Sequence, residues 1–395
     1  MTLPLWKIRR ELRRFSMPLR DLPADLYNYF FATRTYDRTL EAHISTHQGH
    51  QPETARIVVF VIFPSEGLLP SYFTTLDYFR SKGYAPLVVS NLPLSKANRT
   101  ELLERCWTLI ERKNFGYDFG GYRDGVLSLA ERLPKIERLV LINDSAWFPL
   151  PGARDWLDEA EAMSVDFVGA SSHFATPWPK NSAFREMRWT YSSSHRNFHY
   201  GSFGLYIIGS VLCDPRFLNF WKGLRLSDKK KQTVRRGEIG LTQWILARGY
   251  SHGTTFDITH LDRDLHALET DELVEIARNL MLPDLPRLSV VIKRILAEPQ
   301  QERADLINVI LLAVARQGAS YALARYAIAE RGFSFLKKSP LRIDEESGKI
   351  TLDILARIDG SAEILEEARG IYEKAWGHIP PFSLNRPGFA GGSNS

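Results

Sequence analysis

The segment NFGYDFGGYRDG, residues 114–125, combines glycines, aromatic rings, a carboxylate and a guanidinium group. Glycines allow close backbone approach to a ligand. Asp118 can accept hydrogen bonds from hydroxyls, and Arg123 can pair with phosphate. The segment matches neither G-x-G-x-x-G nor a P-loop. A tight turn in which Asp118 caps the next helix, with Arg123 as a surface charge, is the alternative. The ligand-binding candidates are Asn114, Gly116, Asp118, Gly120, Gly121 and Arg123.

A second polar group follows an apolar run in LINDSAWFP, where Asn143, Asp144 and Ser145 stand in sequence. One carboxylate can join a diphosphate-bound Mg²⁺ or Mn²⁺, because these ions keep waters and phosphate oxygens as further ligands. The carboxylate can equally hold a ribose or sugar hydroxyl. An Asx-turn after a strand is the competing interpretation.

Two later segments supply further candidates. In RNFHYGSFGLYIIG, the side chains of His199, Tyr200 and Ser202 can face a sugar acceptor. A strand-edge loop with a partly buried histidine is the alternative. In RRGEIGLTQWILARG, Glu238 stands at the predicted start of a helix, where the helix dipole favours a negative charge. Such a carboxylate can act as a general base if it reaches a cleft, or it can only cap the helix.

The elements that must position these residues alternate between strands and helices. β-rich apolar runs predict strands, and residues with helical spacing separate them. This alternation predicts an α/β fold with a mostly parallel sheet, whose ligands bind at the carboxyl ends of the strands. The predicted strands are 56–63, 86–91, 107–112, 138–144, 166–170 and 205–209, and the predicted helices are 70–82, 96–104, 126–133, 154–163, 214–223 and 238–248.

The chain divides into four predicted regions: a basic N-terminal arm (1–55), the α/β domain (56–260), a helical C-terminal region (261–385) and a disordered tail (386–395). Residues 1–20 carry six cationic side chains and an amphipathic apolar pattern, which predicts binding to an anionic membrane surface. Packing of this helix on the protein's own body is the alternative. Because the positive charge is confined to this segment and no nucleic-acid motif occurs, no nucleic-acid partner is expected.

The expected location of the protein in the cell follows from its hydropathy pattern and its cysteine content. No run of about eighteen apolar residues predicts a membrane span, and no signal-peptide core is found at the N-terminus. Two isolated cysteines, Cys106 and Cys213, fit a reducing compartment. A cytoplasmic protein that lies on the inner face of the cell membrane is therefore expected.

The order of five segments carries a family resemblance. RIVVFVIFP, NFGYDFGGYRDG, LVLINDSAWFP, FHYGSFGLYIIG and GEIGLTQWILARGY, in this order, resemble the rhamnan synthesis protein F family, glycosyltransferase-like proteins of bacterial surface polysaccharide assembly. The resemblance covers about residues 55–257 and implies a GT-A-like fold with a nucleotide-sugar site. It implies that Asp118 and its glycines lie near the nucleotide sugar. It also implies that residues 143–145 replace an Asp-x-Asp motif and that Glu238 is the catalytic base.

The expected function is transfer of a sugar, with rhamnose as the expected one, from a nucleoside diphosphate donor to a lipid-linked or growing surface polysaccharide. Glu238 and Asp144 are the expected catalytic residues, and Asp144 is the expected ligand for Mg²⁺ or Mn²⁺. Because NDS offers one carboxylate where the motif has two, weaker metal binding is expected. A non-catalytic glycan-binding or scaffold protein with a degenerate GT-A domain is the alternative.

Overall fold

The structure is a computed structural model, and it describes residues 27–39, 42–174 and 176–380. The predicted membrane-binding segment 1–20 and the predicted tail 386–395 lie outside these ranges.

A nine-stranded sheet forms the centre of the molecule, with the order β1-β4-β3-β2-β5-β9-β7-β10 and the short β8 paired to β7. Strands β4, β3, β2 and β5 are parallel neighbours, and β10 is parallel to β7. β9 runs antiparallel to both β5 and β7. The strands are β1 (Ile44–Gln48), β2 (Arg56–Ile62), β3 (Ala85–Ser90), β4 (Thr108–Arg112), β5 (Arg138–Asn143), β6 (Ala146–Trp147), β7 (Phe167–His173), β8 (His199–Tyr200), β9 (Gly204–Ile208), β10 (His252–Phe256) and β11 (Leu336–Lys337).

Helices cover both faces of the sheet and continue beyond it. They are α1 (Thr33–Arg38), α2 (Pro70–Ser81), α3 (Lys96–Leu103), α4 (Tyr117–Ser128), α5 (Trp156–Ala162), α6 (Gly209–Leu212), α7 (Pro215–Gly223), α8 (Lys230–Val234), α9 (Gly240–Ala247), α10 (Leu261–Ala267), α11 (Thr270–Arg278), α12 (Pro286–Ala297), α13 (Arg303–Gln317), α14 (Ala319–Ala322), α15 (Ala324–Arg331), α16 (Pro340–Ile343), α17 (Glu345–Ala356) and α18 (Ala362–Trp376). The predicted α/β class, with a mostly parallel sheet and a helical C-terminal region, is confirmed.

The central strands form because they can be buried on both faces. In β2 every residue after Arg56 is buried, which explains why RIVVFVI is a continuous apolar run. The main core also includes residues of α13 and Phe335, so the C-terminal helices pack directly against the sheet domain. A second apolar cluster joins Trp147 to α16–α18. The division at residue 260 stays a prediction.

Five strands were not predicted from the sequence: β1, β10 and the two-residue strands β6, β8 and β11. β1 pairs antiparallel with β4 inside the range 1–55 that the sequence assigned to the N-terminal arm. The boundary of that arm stays a prediction. The β1 residues ISTHQ are mostly polar and half-buried or exposed, as expected of an edge strand without an apolar run. β10 is only partly buried, and β11 has two residues. No helix in the described ranges has both the length and the apolar character to cross a membrane.

Helix α4 corrects the interpretation of the glycine-rich segment. The sequence predicted a loop there and a helix only from residue 126, whereas α4 begins at Tyr117. Gly116 and Tyr117 have φ of 80° and 52°, and these left-handed residues turn the chain from β4 into the helix. A Cβ on Gly121 would lie 2.7 Å from Val61 Cγ1, and one on Gly125 would lie 2.7 Å from Val59 Cγ1. The glycines therefore allow α4 to approach β2 closely.

Candidate active site

Asp118 and Asn143 meet at the carboxyl ends of the parallel strands. Asp118 lies in the first turn of α4, and Asn143 is the last residue of β5. Asn143 Nδ2 donates to Asp118 Oδ2 at 3.1 Å and to the carbonyl oxygen of Ser202 at 3.4 Å. Burial, and then the negative charge of Asp144, raise the pKa of Asp118 to about 6. The two segments that the sequence singled out therefore form one polar cluster.

Asn143 also closes the turn that follows β5. Its Oδ1 accepts from the backbone N–H of Ser145 at 3.1 Å and from Ser145 Oγ at 2.5 Å. This is the Asx-turn that the sequence left open as the competing interpretation. The Asn143 amide group uses its oxygen for this turn and its nitrogen for Asp118. That the segment binds a ligand stays a prediction.

Asp144 faces a different part of the cleft. Its Oδ2 accepts from the backbone N–H of Phe63 at 2.7 Å and from the Tyr72 hydroxyl at 2.7 Å. Burial and the adjacent Asp144 carboxylate raise the pKa of Tyr72 well above its usual value, so this hydroxyl stays a donor. Asp144 and Ser145 line a cavity of about 790 Å³ between the end of β2, the start of α2 and helix α18. The cavity is large enough for a nucleotide-sized ligand.

Glu238 reaches the same cluster from the late helical segment. Its Oε1 accepts from the backbone N–H of Ser202 at 2.6 Å, and its Oε2 lies 4.0 Å from His199 Nε2. Helical structure begins at Lys230 and contains a π-helical turn, Arg235–Ile239, so the helix start predicted at Glu238 is wrong. π-turns often occur at functional sites. Here the turn directs Glu238 towards the strand ends.

A second cavity of about 380 Å³ lies beside His199. The ring of His199 stacks on that of His173, with centroids 5.3 Å apart. Burial, and then the charge of His199, lower the pKa of His173 to about 4, so His173 is neutral at physiological pH. The remaining lining side chains include Trp178, Arg196 and Arg235 and contain no carboxylate. This cavity opens next to Glu238 and can hold a second, polar substrate.

Two lysines of the site were not predicted. β11 pairs antiparallel with β6, opposing Lys337 to Ala146, and thereby brings the segment FLKKSP beside NDSAW. Lys337 Nζ donates to Ser145 Oγ at 3.2 Å, and Lys338 Nζ donates to Glu367 Oε1 at 2.9 Å. Two adjacent lysines inside an otherwise apolar segment were the available signal. The sequence did not indicate that Lys337 meets Ser145, which lies 192 residues away.

Three of the predicted ligand-binding residues make close contacts within the protein, and their binding of a ligand stays a prediction. Arg123 is buried and donates to both carboxylate oxygens of Asp37, at 2.8 and 3.0 Å, so it supports the fold instead of facing the cleft. Tyr200 is buried as well, and its hydroxyl lies 2.6 Å from His252 Nδ1. Gly121 packs on Val61 inside α4 and contacts the sheet, not a ligand.

The structure also shows the surroundings of Gly116, Gly120, Asn114 and Ser202. A Cβ on Gly120 would lie 2.0 Å from the carbonyl oxygen of Phe115, and one on Gly116 would lie 2.8 Å from Leu226. The lack of a Cβ at Gly120 and Gly116 therefore allows close packing and a turn. Contact of these glycines with a ligand stays a prediction. Asn114 is exposed beyond the end of β4. Ser202 contributes its backbone N–H to Glu238 and its carbonyl to Asn143.

The donor groups for a divalent metal ion do not form a cluster. Within the described ranges, no group of three or more His, Cys, Asp or Glu side chains is arranged to hold a metal ion. Asp144 uses Oδ2 for two hydrogen bonds, and the ammonium group of Lys337 lies on the adjacent Ser145. The residues present therefore do not fit a Mg²⁺ or Mn²⁺ site centred on Asp144.

Comparison with known proteins gives one family match. Residues 87–324, more than half of the chain, match the family described as rhamnan synthesis protein F. This range starts later than the resemblance drawn from the sequence and extends past residue 257 into α14 and α15. It includes Asp118, Asn143, Asp144, Ser202 and Glu238, whereas Lys337 lies beyond it.

Individual relatives are more distant. The chain is 33% identical over 244 residues to an uncharacterized protein, y4gN, of Sinorhizobium fredii, covering 62% of this chain and 59% of that protein. It is 26% identical over 193 residues to the virulence protein VirA of Vibrio anguillarum, covering 48% and 55%. The chain thus spans less than two thirds of these relatives. The crystal structure of S. aureus TarS covers 81% of this chain and 54% of its own, at 10% identity and a TM-score of 0.23, which is too low to support a conclusion.

Proposed function

The chain belongs to the rhamnan synthesis protein F family, and from this premise we propose that it is a glycosyltransferase of bacterial surface polysaccharide synthesis. It moves a sugar, with rhamnose as the first candidate, from a nucleoside diphosphate donor to a growing glycan. The observation that carries this proposal is the meeting of Asp118, Asn143 and Glu238 at the carboxyl ends of the strands. Ligands of parallel α/β sheets bind at this edge.

The proposed chemistry starts from the acceptor hydroxyl. Glu238 Oε1 is held by the Ser202 N–H, whereas Oε2 points towards His199 and the smaller cavity. In an inverting reaction Oε2 takes the hydroxyl proton, and the acceptor oxygen forms a bond to the anomeric carbon. The bond from that carbon to the diphosphate oxygen breaks, and the nucleoside diphosphate leaves with the electron pair. A reaction that retains configuration would remove this role from Glu238.

Asp118 and Asp144 hold hydroxyl groups of the donor in this proposal. Each has a carboxylate oxygen at the strand ends, and carboxylates accept hydrogen bonds from sugar hydroxyls. The donor extends from Asp118 at the strand ends into the larger cavity, which Asp144 lines, and the acceptor occupies the smaller cavity beside His199. His199 and Ser202 border the acceptor.

A test of the enzyme uses Glu238→Gln, which keeps an oxygen to accept from the Ser202 N–H but removes the base. We expect release of nucleoside diphosphate to fall by about 10²-fold or more. The matched control is Glu298→Gln on the exposed end of α12, which should retain full activity. Measured release equal to that of the unmodified protein, with a donor panel and a glycan acceptor, would remove Glu238 from the mechanism.

A non-catalytic glycan-binding protein is the second candidate, and the lack of a second carboxylate in NDS favours it. In that case sugar nucleotides or glycans bind without turnover. Isothermal titration of both ligand classes, followed by an assay for released diphosphate, separates the two functions. Binding of donor with no release in the presence of any glycan acceptor would support the scaffold.

We also propose that the acceptor is lipid-linked and that residues 1–20 bind the inner face of the cell membrane. The six cationic side chains of this segment support the proposal. Liposome sedimentation should show binding that needs anionic lipid and is lost when residues 1–20 are deleted. Equal binding by the truncated protein would contradict it.

A further inference from the structure

Lys337 is a partly buried cation at the edge of the cleft. Its Nζ lies 3.2 Å from Ser145 Oγ and 3.8 Å from the centroid of the Phe203 ring. Within the described part of the chain, Lys337 forms no salt bridge to a carboxylate. By contrast, its neighbour Lys338 is paired with Glu367 at 2.9 Å. Removing an ammonium group from water is costly unless an anion compensates it.

The three charged groups and one of the aromatic rings around Lys337 come from four elements. Asp118 on α4 and Glu238 on the π-turn attract it at longer range, and Lys230 on α8 repels it. The ring of Tyr321 on α14 lies 5.9 Å from Nζ. Burial dominates over these charges and lowers the pKa of Lys337 to about 8. An anion bound at Nζ would relieve this penalty.

The position of Lys337 matters because it adjoins the turn where a metal ion was expected. A divalent ion beside Ser145 would face the ammonium group at short distance, and like charges repel. Asp144, the expected ligand, already accepts two hydrogen bonds on one oxygen. The protein thus presents a fixed cation in place of a set of metal ligands.

We propose that Lys337 binds the diphosphate group of the sugar donor and neutralises the charge that a divalent metal ion was expected to neutralise. This inference rests on the proposed function. As the bond between the anomeric carbon and the diphosphate oxygen breaks, negative charge grows on that oxygen. The N–H groups of Lys337 stabilise this charge by donating to the diphosphate. Ser145 Oγ and the Phe203 ring hold the ammonium group in place.

The test is calorimetric titration of the full chain with uridine, deoxythymidine and guanosine diphosphates, in EDTA and in Mn²⁺. Lys337→Met removes the charge and keeps the side-chain length, and Lys337→Arg keeps a charge. Lys349→Met is the matched control, because Lys349 is exposed and pairs only with Glu345 on α17. We expect at least one diphosphate to bind in EDTA. Its affinity should fall by about tenfold or more in Lys337→Met and stay unchanged in the control.

The outcomes separate this inference from the proposed function. The inference alone is overturned if Lys337→Met binds the diphosphate as tightly as the unmodified protein does. It is also overturned if binding requires Mn²⁺ and is unaffected by substitution of Lys337. Failure of all three diphosphates to bind the unmodified protein, with and without Mn²⁺, overturns the proposed function and the inference with it.

A pH series keeps the test decisive if Lys337→Met does not fold. In the unmodified protein, affinity should decrease as pH rises from about 7 to about 9, because the ammonium group loses its proton over this range. Lys337→Arg, whose guanidinium group stays charged, should lose this decrease. A decrease of equal size in both proteins would refute the role of Lys337.

Discussion

Replacing Asp118 by Asn should stabilise the protein at neutral pH, although Asp118 is a proposed donor ligand. Burial and then the Asp144 charge raise the pKa of Asp118 from 3.8 to about 6. A raised folded-state pKa means that the folded protein resists ionisation more than the unfolded chain does. Stability therefore decreases as pH rises through this interval, and the full penalty is present above about pH 6.

The magnitude follows from the two pKa values. Each unit of pKa difference between the folded and unfolded states corresponds to about 1.4 kcal/mol. The difference between 3.8 and about 6 therefore lowers the free energy of unfolding by about 3 kcal/mol at pH 8. Asp118→Asn removes this cost and keeps an oxygen that can accept from Asn143 Nδ2. We expect a gain of about 1–3 kcal/mol in the free energy of unfolding and a rise in Tm of about 1–4 °C.

The assay is thermal unfolding of Asp118→Asn and of the unmodified protein at pH 8 and at pH 4. The matched control is Asp359→Asn, at an exposed position after α17, which should change Tm little at either pH. The stabilising effect should be large at pH 8 and small at pH 4, where Asp118 is protonated in the folded state and about half protonated in the unfolded chain. A Tm difference that is independent of pH, or a loss of Tm at pH 8, would refute the reasoning.

Three further substitutions test the packing and the polar network. Gly121→Ala should destabilise the protein by about 1–3 kcal/mol, because its Cβ would lie 2.7 Å from Val61, and Val61→Ala should partly restore Tm. Arg123→Met should lower Tm but leave diphosphate affinity unchanged, since Arg123 pairs with Asp37 outside the cleft; weakened binding by folded protein would contradict this. Asn143→Asp should lower Tm more at pH 8 than at pH 4, because it adds a carboxylate to the cleft; equal losses would contradict it.

The strands of the sheet centre could be predicted because their burial leaves a continuous apolar signal. β2, β3 and β5 are such runs, and their polar carboxyl ends identified Asn143 and Asp144. Helix α4 was missed because its glycines were interpreted as a loop. The signal was nevertheless present, since Gly121 and Gly125 are four residues apart and lie on one helix face against β2.

Lys337 could not be predicted for a different reason. Its strand has only two residues, so it carries no periodicity of its own. The pairing of β11 with β6 joins segments that are about 190 residues apart, and such contacts depend on the packing of the C-terminal helices. Neither the residue type nor the local sequence identifies the function of Lys337. That function can be inferred only from the residues that surround Lys337 in the folded protein.

Asn143 explains how the cleft tolerates its departure from a two-aspartate motif. An aspartate at this position could accept from Ser145 but could not donate to Asp118, because an ionised carboxylate has no donor. A fourth carboxylate would then join Asp118, Asp144 and Glu238 near the strand ends and add to their mutual repulsion. With an amide at 143, three carboxylates remain, and the ammonium group of Lys337, which donates to Ser145, supplies a positive charge beside them. The asparagine and the lysine thus form one electrostatic arrangement, in which a fixed side chain takes the place of an exchangeable ion.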